Sequence, residues 1–99
     1  MPRFDLHRAR EGGGYPLNVQ RDLHDQLSTR VVVPLLPVAQ APPPSRDLNP
    51  QFDIEGEPHI LFPQYLAAVP RRELGRAVGN LETQRDAVTK ALDLLLTGF

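Results

Sequence analysis

Apolar and polar residues alternate over most of the first seventy positions, and this pattern predicts strands. Phe4 and Leu6 alternate with Asp5 and His7, a short first strand. Tyr15, Leu17 and Val19 repeat the pattern after Glu11-Gly12-Gly13-Gly14, a turn in which glycine supplies positive φ. The two strands therefore read as a hairpin. Arg21 to Ser28 is polar with Leu23 and Leu27 embedded and reads as a loop or bent extension. The strongest strand signal is Arg30-Val31-Val32-Val33-Pro34-Leu35-Leu36: consecutive β-branched residues in an unbroken apolar run imply burial on both faces. Pro34 has no N–H to give to a ladder, so it marks a bulge or the exposed side of that strand. Ala41-Pro42-Pro43-Pro44-Ser45-Arg46 is a stiff, extended connector. Phe52 with Ile54, and Ile60 with Phe62, flank a turn at Glu55-Gly56-Glu57. Leu66 to Pro70 closes the β part.

The period then changes. Leu81, Val88, Leu92 and Leu95 share one helical face, widened by Ala87, Ala91 and Leu94. Asn80 is the expected N-cap, Glu82 lies in the first turn, and Gly98 stands where a helix ends. Leu94-Leu95-Leu96 points three ways around the helix, so these side chains cannot all face one small core. At least one is expected at a dimer or partner surface.

A chain of 99 residues is one domain, 1–99, with a modest core. The valine run and the broad helical stripe exceed what so small a core covers, which predicts a homodimer through an isologous sheet surface. The net charge of −1 supplies no cationic field, so direct contact with nucleic acid or anionic membrane is not expected. The absence of cysteine excludes thiolate chemistry and fits a reducing cytoplasm. A charge by Arg3 argues against a signal peptide, and no apolar run approaches the roughly 20 residues of a membrane span.

Candidate catalytic chemistry is sparse. His7, His24 and His59 lie on separate predicted elements without ligand spacing and read as surface or loop residues rather than a metal set. Asp22 and Asp25 read as turn residues whose carboxylates bond nearby backbone N–H groups. Arg71, Arg72 and Arg76 are interleaved with Glu73 and read as a solvated face. The glycine turn lacks the Lys and Ser/Thr of a phosphate loop. No catalytic residue, metal or cofactor is expected.

Val19-Gln20-Arg21-Asp22-Leu23-His24-Asp25 followed by Thr29-Arg30-Val31-Val32-Val33-Pro34-Leu35 is similar to the central signature of CcdB toxins. Leu48-Asn49-Pro50, Leu66-Ala67-Ala68-Val69-Pro70, Leu74-Gly75, Asn80-Leu81 and the segment from Leu92 to Gly98-Phe99 follow in the family's order and spacing. The resemblance covers essentially the whole chain. It implies a mainly β (α+β) fold, an SH3-like antiparallel β-barrel of the CcdB/Kid/MazF-like kind with a C-terminal α-helix, assembled as a homodimer. It implies the toxin component of a type II toxin–antitoxin module acting in plasmid maintenance and growth arrest. Such a toxin is no enzyme. It binds the A subunit of DNA gyrase, traps the cleaved DNA complex, and is neutralised by a CcdA-like antitoxin.

By the same resemblance the gyrase-binding residues are Asp93, Leu96, Thr97, Gly98 and Phe99, with Leu23, His24 and Asp25 as a second patch. One departure stands out. Family chains typically end in Trp-Gly and an aliphatic residue, the Trp stacking on a gyrase arginine, whereas this sequence has Thr97-Gly98-Phe99. Loss of such a stacking pair costs a few kcal/mol; Leu96 and Phe99 remain as apolar anchors. Two alternatives stay open: a MazF/Kid-like endoribonuclease toxin, and a decayed, non-poisoning CcdB homologue that still binds an antitoxin.

Overall fold

The structure, a computed structural model, describes residues 2–9, 14–22 and 26–98. Seven strands form one antiparallel sheet: β1 (Asp5–His7), β2 (Tyr15–Asn18), β3 (Thr29–Pro37), β4 (Gln51–Ile54), β5 (Glu57–Leu61), β6 (Ala67–Pro70) and β7 (Ala77–Asn80). Their order is β4-β5-β3-β2-β1-β7, with β6 also pairing β3. The sheet curls into a half-barrel closed over by one C-terminal helix, α1 (Arg85–Thr97). This is the mainly β architecture with a C-terminal helix that the sequence implies.

β3 is the spine, and its valine run explains why. Leu17 lies opposite Val33 and Tyr15 opposite Leu35 on the β2 side. On the other side β3 takes β6 along Thr29–Val32 and β5 along Leu35–Pro37. Pro34 sits at the changeover. Its carbonyl accepts from Phe62 N–H at 3.0 Å. The nitrogen of a strand residue faces the same side as its carbonyl, so the missing N–H falls in the gap between the two partners and not on an exposed edge.

The core gathers Phe4, Leu6, Leu17, Val33, Leu35, Phe52, Ile54 and Leu61 from the sheet and Val88, Ala91 and Leu92 from α1. Val33 and Leu35 are fully buried, as the apolar run predicts. Glu55 and Gly56 both have positive φ, 53° and 80°, and make the tight β4–β5 turn. Asn49 pins the proline-rich connector: its Nδ2 donates to the Leu61 carbonyl at 3.0 Å and its Oδ1 accepts from Ser45 N–H at 2.7 Å.

Three expectations are corrected. Ala77–Asn80 is a strand, held by β1 through Asp5 opposite Asn80 and Leu6 opposite Gly79. The α-helix therefore begins at Arg85, after a single 3-10 turn over Glu82–Gln84. Asn80 is not the N-cap of either helical element: its Oδ1 accepts from Glu82 N–H at 2.7 Å in an Asx turn, and Leu81 occupies the N-cap position of the 3-10 turn. Finally, His7 and His59 are buried strand residues rather than surface ones. His24 lies outside the described residues.

Candidate functional site

Two regions carry functional groups: the tip of α1 and a polar cavity beside the β4–β5 turn.

At the tip, the buried stripe of α1 runs out. Val88, Ala91 and Leu92 are buried, but Leu95, the next member, is 38% exposed and Leu96 is 68% exposed. Leu96 is the most exposed of the large apolar side chains among the described residues. Asp93 and Thr97 are exposed beside it. The Thr97 hydroxyl donates to the Asp93 carbonyl at 2.7 Å, and Gly98, with φ 82°, gives its N–H to the Asp93 and Leu94 carbonyls. The left-handed glycine thus closes the last turn. Asp93, Leu96, Thr97 and Gly98 come together on this tip; Phe99, Leu23, His24 and Asp25 lie outside the described residues. Tyr65 and Leu66 are also exposed, and α1 packs against the 3-10 turn Pro63–Tyr65 that carries the first of them.

The cavity, about 240 Å³, is lined by Arg8, Tyr15, Glu55, Glu57 and His59, with Gly14 and Pro37 at its walls. The sequence reading missed it, because its residues come from β2, β5, the β4–β5 turn and the chain after β1, with no motif spacing to join them. Only the three-dimensional pairing of β3 with both β2 and β5 brings them together. The Tyr15 hydroxyl donates to Glu55 Oε2 at 3.2 Å, and Arg8 Nη2 lies 3.7 Å from Glu55 Oε1. The Arg8 guanidinium sits 5.7 Å from the Tyr15 ring centre, and His59 packs at 5.2 Å from the same ring. Desolvation, and next the hydrogen bond to Glu55, push the Tyr15 phenol above its usual range. His59 is 3% exposed, and its Nδ1 is 2.9 Å from the Glu57 carbonyl. A carbonyl can only accept, so Nδ1 carries the proton and Nε2 presents a lone pair in the neutral ring.

Elsewhere the expected catalytic candidates stay apart. Asp22 Oδ1 accepts from Arg3 N–H at 2.6 Å, a structural bond. Arg71 and Arg72 lie exposed on a 3-10 turn with Glu73. His7 Nδ1 contacts the Gly75 carbonyl at 3.0 Å. No group of three His, Asp or Glu residues suited to a metal ion occurs among the described residues.

The architecture is thus a half-barrel sheet capped by a helix whose apolar tip is exposed. The sequence model of the CcdB protein family matches residues 3–98, and the chain belongs to that family of toxins. No curated protein matches it in sequence. Among solved structures it is similar to an endoribonuclease in complex with its cognate antitoxin from a mycobacterial species. That match has a TM-score of 0.78 and 15% identity, and covers 97% of this chain and 94% of the other. It is also similar to the Mycobacterium tuberculosis toxin MazF-mt6, with a TM-score of 0.73, 19% identity and coverage of 90% and 92%. At these identities the likeness is one of fold. No helix among the described residues is long and apolar enough to cross a membrane.

Proposed function

We propose that the chain is the toxin of a toxin–antitoxin module that arrests growth by binding the A subunit of DNA gyrase through the tip of α1. The observation that carries this reading is the exposure of Leu96 beside Leu95, at the end of a helix whose other apolar residues are buried. Adjacent apolar side chains exposed at the C-capped end of a helix form a surface that a partner can cover. Asp93, Thr97 and Gly98 give the anchor a polar surround, the anatomy of a binding hot spot. The toxin acts as a homodimer in the cytoplasm. A CcdA-like antitoxin neutralises it, a reading supported by family membership and by the antitoxin-bound state of one structural relative.

A second reading, RNA cleavage of the MazF type, is favoured by the imidazole of His59 in a cavity that also holds Arg8 and Tyr15. Glu55 and Glu57 weigh against it, because they repel the phosphodiester that such a site must hold.

The experiment is expression in growing bacteria without antitoxin, followed by analysis of nucleic acid. The gyrase reading expects growth arrest with protein-linked breaks in DNA and intact RNA, and Leu96→Asp restores growth. RNA fragments produced by the purified protein would establish the second reading instead. Unimpaired growth would mean a homologue that no longer poisons.

A further inference from the structure

The cavity beside the β4–β5 turn has a chemistry that the tip of α1 does not use. Among the described residues its charges do not cancel: Glu55 and Glu57 face a single cation, Arg8. Glu55 is already engaged, by the Tyr15 hydroxyl on one oxygen and Arg8 on the other. Glu57 has no hydrogen bond or ion pair among the described residues. Its backbone carbonyl instead accepts from His59 Nδ1, which leaves Nε2 as the ring nitrogen available to the cavity, in a side chain 3% exposed. The open functions are therefore the Glu57 carboxylate and, beside it, His59 Nε2. A ligand that satisfies them needs N–H donors and positive charge.

A phosphate would meet two carboxylates, with only Arg8 among the described residues in its favour. The volume, about 240 Å³, lies below the range of pockets that hold a whole drug-sized ligand and suits a group of side-chain size.

We propose that the cavity formed by Arg8, Tyr15, Glu55, Glu57 and His59 is a binding site for an alkylguanidinium or alkylammonium group. The cation sits between the Glu57 carboxylate and His59 Nε2. An arginine or lysine side chain of a partner polypeptide and a free small cation share this chemistry. Ile54, the last residue of β4, also lines the cavity, and β4 is the outer strand on that side of the sheet, where an extended peptide can lie.

The test is a heteronuclear NMR titration of the full chain with four probes: butylguanidinium, its neutral isostere butylurea, the tripeptide Gly-Arg-Gly and uridine 3′-monophosphate. Butylguanidinium and the tripeptide should shift the signals of Tyr15, Glu57 and His59, and butylurea should not. Glu57→Gln, at an exposed position, should weaken the cations at least about tenfold without changing the melting temperature. Tighter binding of the tripeptide than of butylguanidinium identifies a polypeptide as the source; equal or weaker binding identifies a free cation. The proposal is overturned if neither cation shifts these signals, if Glu57→Gln binds as the wild type does, or if the nucleotide binds the same residues more tightly than the cations. The result does not depend on whether gyrase is the target of the helix tip.

Discussion

The carbonyl oxygen of Leu35 lies 2.6 Å from where a Cβ on Gly14 would stand, so the start of β2 approaches the spine strand more closely than any side chain permits. Gly14 also has φ 91°, a conformation that L-residues rarely adopt. Gly56, at φ 80°, has nothing within 4 Å of such a Cβ.

These two glycines make a paired prediction. Gly56→Ala carries the cost of a left-handed backbone alone, about 1 kcal/mol. Gly14→Ala adds a clash with backbone that cannot move without shifting β3, so it should cost about 3 kcal/mol and broaden the transition. Denaturant unfolding of both variants checks the order; equal losses would mean that the close approach relaxes.

Val33→Asp should prevent folding. The residue is fully buried between Leu17 and the core, and an unpaired carboxylate there costs on the order of 4 kcal/mol, a large share of a small domain's stability. Leu96→Asp, by contrast, should fold with a nearly unchanged melting temperature, since that side chain is mostly in solvent. Circular dichroism melts of the two variants separate core from surface.

Alkaline titration should show Tyr15 ionising late. The fold favours the neutral phenol, so its contribution is fully present below the ordinary value of 10.0 and is lost as pH rises through the higher folded value. The phenolate absorbance of the wild type minus that of Tyr15→Phe gives the midpoint. Glu55→Gln should lower that midpoint without returning it fully to 10.0, because desolvation, the larger cause, remains. A midpoint at or below 10.0 in the wild type would contradict the geometry.

Assembly is predicted as a two-fold dimer through an isologous sheet surface, with the exposed Leu95 and Leu96 left for the target. Sedimentation at low micromolar concentration should give about 22 kDa, twice the 11.1 kDa of one chain. A monomer at that concentration would refute it.

Most of the sheet was legible because β-branched and aromatic residues alternate along it. β7 was not: Ala77-Val78-Gly79-Asn80 has only one good strand former, and pairing with β1 more than seventy residues away decides its structure. The same pairing draws Asn80 into the sheet and delays the helix to Arg85, so the Asn80 side chain makes an Asx turn at a strand end instead of the expected N-cap. The helix tip was visible in Leu94-Leu95-Leu96, since consecutive residues on a helix cannot share a face. The cavity was invisible, because Arg8, Tyr15 and His59 meet only through strand order, and a histidine's burial depends on neighbours that no local pattern names.

The central claim is that the tip of α1 binds the gyrase A subunit, and calorimetric titration of the chain onto that purified subunit tests it most directly. Wild type should bind, Leu96→Asp should bind at least about tenfold more weakly, and Thr97→Trp, which restores a stacking ring at the exposed end of the helix, should bind more tightly. If neither the wild type nor Thr97→Trp binds, gyrase is not the target, and the exposed leucine serves another partner.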